Sequence, residues 1–381
     1  MKKKSQLKGR VIRPRPIDAK GAVADLMENS FLAYNAGRLL EASQLFAQQM
    51  TRADCTVGLS ISGALTPAGL GFSCLIPLIE HGWIDWICST GANLYHDMHY
   101  HLGFTMHQGG LRWDDLTLYQ NRIIRIYDIL FDQQVLLRTD RFVYELMEGP
   151  DFQAKLSTPE LHWRLGRKIA EREEAAGGAV TCMLSAAYRY DVPIFTSSPG
   201  DSTLGLNAAA LALRDNRFEF DVLADVNLST AIVFQAKTGG GRSGVLILGG
   251  GSPKNFVLQT EPQIQEVLGL DEKGHDYYIQ FTDARTDTGG LSGATPSEAM
   301  TWGKVDPNQL SSSVVCYVDS TIATPLLVAY TLARAKPRRP RRLMRKLPDL
   351  LERLREAYRG VRLGYQGKHR RSDSSGQRRR H

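Results

Sequence analysis

Six short stretches of the chain are apolar almost without interruption: residues 56–62, 83–90, 192–198, 244–250, 277–283 and 314–320. Each ends in Gly, Ser, Thr or Asp and gives way to residues with helical periodicity. A strand that is apolar on both sides, and not on alternate residues only, must be covered on both faces. Strands of that kind separated by helices imply right-handed β-α-β units and an open parallel sheet with helices on both faces. With 381 residues, 43% of them apolar, the chain can bury such a core as one large α/β domain. Residues 111–190 show helical patterns and no clear strand, and are read as a helical insertion on the sheet. There is no internal repeat.

Other classes are excluded by composition. The longest apolar runs, such as Val245 to Leu248, fall far short of the roughly 18 residues that span a bilayer. The lysines at 2–4 are followed by no apolar stretch and no small-residue cleavage site, so no secretory signal is expected. Five scattered cysteines (55, 74, 88, 182 and 316) with no C-x-x-C pair suit reduced thiols of a cytoplasmic protein. The net charge of +7 hides a division. Residues 1–16 hold seven basic and no acidic residues, and residues 336–381 hold 17 basic against 4 acidic, which leaves the stretch between them acidic. A nucleic-acid-binding fold carries its basic residues on a folded face. An acidic body with basic ends suits an enzyme that attracts a cationic substrate.

This division gives a basic extension at 1–24, a folded domain at 25–335 and a basic tail at 336–381. The tail carries Leu343, Leu347, Leu350, Leu351, Leu354 and Tyr358 at helical spacing, interrupted by Pro348, then turns polar. It reads as a short amphipathic helix docked on its own body or on another subunit, followed by a disordered end. Contact with RNA or an anionic surface is the alternative. The abrupt change at Lys336 predicts that the tail is dispensable for the fold.

Chemistry in an open parallel sheet belongs beyond the carboxyl ends of its strands. Gly249-Gly250-Gly251 lets a backbone approach a phosphate, or simply makes a tight turn, and no G-x-G-x-x-G is present. Asp319, followed by Ser320, suits a ribose or a helix cap. Lys254 and Lys304 follow glycine-containing turns, and a lysine acts as a nucleophile only where burial or charge keeps it neutral. His96, His99 and His101 suggest a metal cluster, but on a helix only 96 and 99 share a face, and no acidic or Cys partner stands at convincing spacing, so no metal is expected.

Taken together, four segments resemble the deoxyhypusine synthase family. Ser292-Gly293-Ala294 and Glu298-Ala299-Met300-Thr301-Trp302-Gly303-Lys304 are similar to its S-G-A and E-A-V-S-W-G-K motif. Residues 89–97 are similar to T-T-A-G-G-x-E-E-D, residues 248–254 to L-G-G-G-x-x-K, and residues 317–320 with 325–327 to Y-A-D-A and P-L-L. The resemblance covers about residues 25–333. It implies a Rossmann-like fold, NAD as cofactor, a polyamine-type donor, an amine or protein-lysine acceptor, and a homotetramer with active sites at an interface. It also implies that Lys304 is the nucleophile that carries the transferred group as an imine. Ser60, Ser62, Thr90, Gly91, Asp201, Asp319 and Ser320 fall at its NAD positions. His96, Asp97, Asn255, Glu298 and Trp302 fall at the amine slot. There the chain departs from the family, with Tyr95-His96 in place of the Glu-Glu pair, Leu206 and Leu291 in place of aspartates, and Asn255 in place of histidine. A slot short of carboxylates suits a less charged amine than spermidine. The resemblance also leaves open a homospermidine synthase-like reaction on small polyamines, an NAD-linked oxidation without covalent transfer, and an NAD-binding interaction protein.

Overall fold

The computed structural model describes residues 11–110 and 112–361. Its centre is a six-stranded, wholly parallel sheet: β1 (Cys55–Ile61), β2 (Trp86–Ser89), β3 (Ile194–Phe195), β4 (Arg242–Leu248), β5 (Tyr277–Thr282) and β6 (Ser313–Tyr317). All six apolar runs are strands. In space they lie in the order β6-β5-β4-β1-β2-β3, so successive strands are added to one side of β1 and then to the other. The reversal falls between β1 and β4, whose seven residues pair in register from Cys55 opposite Arg242 to Ile61 opposite Leu248.

Because side chains alternate across a strand, the sheet builds two cores. On one face Val57, Leu59 and Ile61 of β1 join Leu246, Leu248, Ile279 and Phe281. This face is covered by α1 (Val23–Ser30), α2 (Tyr34–Leu45), α3 (Gly91–His101) and, beyond an insertion, further helices of the same core. The insertion carries α4 (Gln133–Glu148), α5 (Thr158–Ala175) and α6 (Met183–Tyr190), and is followed by α7 (Thr203–Ala212). On the other face Trp86, Phe195, Val245, Ile247 and Tyr278 meet α8 (Val222–Thr238), α9 (Gly251–Leu258) and α10 (Pro296–Thr301). Here β1 presents small residues. A Cβ on Gly58 would stand 2.7 Å from the Trp86 ring, so the indole fits only because position 58 has no side chain. A last sheet helix, α11 (Ser320–Arg334), returns to the first face.

The insertion is not wholly helical, which corrects the expectation for residues 111–190. Ile123–Ile126 and Ile129–Asp132 form an antiparallel hairpin that His107–Gln108 extends to three strands, and Lys155–Leu156 pairs with Glu219–Phe220. The hairpin's four-residue strands lie among helical patterns, and their turn places Tyr127 at a φ of 53°, where a non-glycine residue is uncommon. Such a signal is too short to register in a helical window.

The tail is packed into the body, which argues against its being dispensable. Residues 336–342 run along the amino ends of β1 and β2. Arg338 donates to Asp85 Oδ2 at 2.6 Å and to the Cys55 carbonyl at 2.8 Å, while Asp85 Oδ2 also accepts from the Val57 amide at 2.8 Å. A final helix, α12 (Leu347–Gly360), packs on α8, and Leu343, Leu347, Leu350 and Leu354 are buried in the second core with Ile232 and Val245. Pro348 does not interrupt it, because it occupies the first turn, where its missing N–H costs nothing. Four buried leucines contribute several kcal/mol, at about 1.5–3 each. The break in composition at Lys336 is not a break in packing. The polar end expected beyond Gly360 lies almost wholly outside the described residues, as does much of the basic amino-terminal extension.

Candidate functional site

Every loop that follows a sheet strand brings glycine or small polar residues to the same end of the sheet. After β4, Gly249 adopts a φ of 82°, and a Cβ there would lie 2.1 Å from Ser62 Oγ. A Cβ on Gly250 would lie 2.5 Å from Ser292 Cα. The glycines therefore answer two needs, a left-handed turn and close approach of neighbouring loops. Ser62 Oγ donates to the Leu248 carbonyl at 3.1 Å and accepts from the Gly250 amide at 2.9 Å, which ties the β1 loop to the β4 loop. The hydroxyl of Ser60 is buried and has no hydrogen-bond partner among the described residues.

Thr90 caps α3, accepting from the Asn93 amide, and donates to the Gly63 carbonyl at 2.6 Å. Gly91 opens α3 against Ser202, whose Oγ would be 2.2 Å from a Cβ at 91. Asp201 is exposed in the turn before α7, where its amide donates to the Ser198 carbonyl. Asp319 caps α11 through the Thr321 amide at 2.7 Å, and Ser320 Oγ donates to the Phe281 carbonyl at 3.2 Å. Ser197 and Ser198, after β3, both reach Ser252 in α9. The seven positions carried over for NAD all lie at or beyond the carboxyl ends of β1, β2, β3 and β6.

Beside that crevice lies a cavity of about 260 Å³ lined by Lys254, Asn255, Leu291, Glu298, Trp302 and Lys304 among others. Local chemistry explains how Lys304 enters it. Thr295 caps α10 through the Glu298 amide, and Gly303, at a φ of 70°, ends the helix with the Lys304 amide bonded back to the Ala299 carbonyl. A Cβ at 303 would collide with Gln265 Oε1 at 2.5 Å. The lysine emerges half-buried, with Nζ 3.2 Å from Asn255 Oδ1 and 5.7 Å from the centre of the Trp302 ring. Burial lowers its pKa from the ordinary lysine value, against the charges of Glu298 and Glu266.

Lys254 is the second amine of the cavity. It is buried, donating to the Ala294 carbonyl at 2.7 Å and to Gln280 Oε1 at 3.1 Å. Burial takes its pKa down to about 8, with the Lys304 charge adding to the effect and Glu298 opposing it. Gln280 went unnoticed in the sequence. Its Nε2 donates to the carbonyls of Gly249 and Ser292, each at 2.8 Å, so one side chain joins the glycine loop, the 291–294 turn and Lys254. The available signal was a lone amide in the strand Tyr277-Tyr278-Ile279-Gln280-Phe281-Thr282, buried throughout.

The other two slot residues, His96 and Asp97, do not line this cavity. Asp97 is buried, accepts from the Met183 amide and has its pKa raised to about 6 by burial, so it fastens α3 to α6. His96 is half-buried on α3 and bonds His99 at 3.1 Å, as their shared face predicts, while His101 turns to Thr181. Tyr95 and Asn207 both donate to Asp140 Oδ1, at 2.7 and 3.3 Å. Trp302, Leu206 and Leu291 are 58%, 64% and 49% exposed. Among the described residues no group of three His, Cys, Asp or Glu is placed to hold a metal, and no helix is long and apolar enough to cross a membrane.

A doubly wound sheet with a glycine loop at its strand reversal and a half-buried lysine in the adjoining cavity defines an α/β enzyme with a candidate amine nucleophile. The comparisons with known proteins give the family. The deoxyhypusine synthase profile matches residues 23–331. The deoxyhypusine synthase-like protein of Nostoc sp. is 53% identical over 350 residues, covering 92% of this chain and 91% of that one. The Methanosarcina mazei protein named "Probable deoxyhypusine synthase 2" is 36% identical over 319 residues, covering 83% of this chain and 88% of its own length. An Entamoeba histolytica protein whose crystal structure is described as that of "a putative deoxyhypusine synthase" shares the fold, with a TM-score of 0.56 at 14% identity over 86% of this chain and 99% of that one. The chain belongs to the deoxyhypusine synthase family, a family of alkyl-group transferases.

Proposed function

We propose that the chain uses NAD to move an alkyl or aminobutyl group from an amine donor through an imine on Lys304 to an acceptor amine. The observation that carries this reading is the shared wall. The 291–294 turn lines the Lys304 cavity, and through Ser292 it also packs against Gly250 and bonds the Gly251 amide at 2.9 Å. A lysine cavity that shares a wall with the glycine loop at the strand reversal supports a reading in which a redox cofactor and a nucleophile work side by side.

The crevice suits a dinucleotide. Strand order 3-2-1-4-5-6 is that of Rossmann sheets, whose ligands lie at the reversal. Gly63 and Gly251, where a Cβ would meet nothing within 4 Å, leave open space at this end, and the orphaned Ser60 hydroxyl offers a hydrogen bond. Ser60, Ser62, Thr90, Gly91, Asp201, Asp319 and Ser320 would hold the cofactor, which supplies hydride acceptance when bound. Lys304, kept toward its neutral form, has the free lone pair that attacks an imine carbon. Trp302 gives the amine an aromatic wall, and Asn255 orients the Lys304 nitrogen.

Glu298 is the one carboxylate among the residues lining the cavity. A multiply charged amine needs a carboxylate for each desolvated ammonium, so the slot favours a donor with fewer charges than spermidine. The exposed Trp302, Leu206 and Leu291 support a site closed by a second protomer, within a homotetramer. The test is borohydride trapping with NAD and spermidine, putrescine or agmatine, followed by peptide mapping. An adduct on Lys304 with the smaller amines is the expected result. An adduct on Lys254 would move the nucleophile, and equal trapping with spermidine would refute the charge argument.

A further inference from the structure

A directed chain of hydrogen bonds runs between α3 and α4, outside the Lys304 cavity. Thr139 Oγ1 stands 2.8 Å from the Val135 carbonyl, which bears no proton, so the hydroxyl spends its only proton there. It can therefore only accept from His99 Nδ1, 2.8 Å away. With its proton on Nδ1, neutral His99 has a lone pair on Nε2, and this faces His96 Nδ1 at 3.1 Å. His96 must then carry its own proton on Nδ1. Each partner fixes the next, and the direction is set at the backbone.

The surroundings hold the chain in this state. His99 and Thr139 are fully buried, and the rings of Tyr95 and Phe131 pack at 4.9 and 6.0 Å from that of His99. Burial, with the His96 charge second, pushes the His99 pKa down to about 3, so His99 stays neutral; burial also lowers that of His96. Asp140, next to Thr139 on α4, is engaged by Tyr95 and Asn207. His96 is the only member of the pair with open surface, and its Nε2 meets no protein partner among the described residues.

We propose that the Val135–Thr139–His99 chain fixes His96 as the acid–base group for the substrate amine, with Nε2 the only atom that gains or loses a proton. This rests on the amine-transfer reading above and on a site closed between protomers, because His96 does not line the Lys304 cavity of its own chain. An imine forms only from an amine with a free nitrogen lone pair. In the step assigned to His96, an N–H bond of the bound ammonium breaks, an Nε2–H bond forms, and the positive charge passes to the imidazole. His99 and Thr139 are positioning residues that prevent His96 from turning its other nitrogen to the ligand.

The test uses the full chain labelled with 15N-histidine. In the free protein His96 and His99 should both show the Nδ1–H tautomer, and with NAD present the His96 Nε2 resonance should shift on titration with putrescine or agmatine. Thr139→Val should abolish the single tautomer and raise the KM for amine about tenfold with NAD affinity unchanged, and Thr139→Ser should restore both. An Nε2–H tautomer at His96, or a His96 resonance unmoved by either amine, overturns the proposal. A shift at His96 without any borohydride adduct on Lys304 would instead sink the transfer reading and leave His96 as an amine-binding group.

Discussion

The two ends of the sheet are built on opposite principles. At the amino ends, charged residues are buried and matched: Arg338 reaches across to Asp85, Asp85 accepts the Val57 amide, and the 336–361 segment closes over them with four leucines. At the carboxyl ends, glycines and serines keep the loops thin, two lysines share one cavity, and apolar side chains stand exposed. One end is closed by this chain itself. The other is left open, so that stability and the proposed chemistry can be altered separately. Burying an ion pair gives little net stability, but removing one partner strands the other charge in the interior. A lysine with a single side-chain hydrogen bond can be removed at small structural cost.

The sharpest break of the comparison is Lys304→Ala. It should abolish trapped adduct, at least about 100-fold, while the melting temperature stays within about 2 °C, because no buried network depends on it. A chain ending at Ala335 should do the reverse and fail to give a monodisperse folded protein on size exclusion. It strands Asp85 and uncovers the second core, and large-to-small changes at such sites cost about 2–5 kcal/mol each against a typical total of about 5–15. If that chain melts like the full one, the amino-end closure is ornamental.

Arg338→Ala should cost about 3 kcal/mol in urea unfolding, at the low end for a broken buried pair because Arg341 also approaches Asp85. NAD affinity, measured by calorimetry, should not move. Gly250→Ala should weaken NAD binding about tenfold, or about 1.4 kcal/mol, since the new methyl group pushes the Ser292 turn. The smallest effect concerns acid. His275, at the amino end of β5, has its pKa pushed down to about 3 by burial and by the Lys237 charge, whereas the unfolded chain titrates near 6.5. Below pH 6.5 the unfolded state takes up the proton first, so stability is lost as pH falls from there toward 3. Between pH 7.5 and 6 wild type should lose about 0.8 kcal/mol more than His275→Gln.

Much of this was legible before any coordinates. The six strands declared themselves because a strand buried on both faces has no polar alternation to confuse with a surface strand. Gly303 and Lys304 were recognisable as a turn that exposes an amine. The insertion's hairpin was not legible, because its strands are four residues long and sit among helical patterns. Pro348 looked like a break and proved to be a first-turn proline, a distinction that depends on where the helix begins.

What the sequence determined by itself is local: periodicity, strand-end residues, and the lysine with its flanking glycine and indole, all set by interactions between near neighbours in the chain. Only the tertiary structure decided that β4 lies beside β1, which brings Ser62, Gly250 and Ser292 into one hydrogen-bonded loop cluster. It also placed Lys254 and Lys304, fifty positions apart, in one cavity, and set α12 on the second core as part of the body. These outcomes follow from burial of apolar area and from pairing of buried polar groups, which depend on what the whole chain brings together in space.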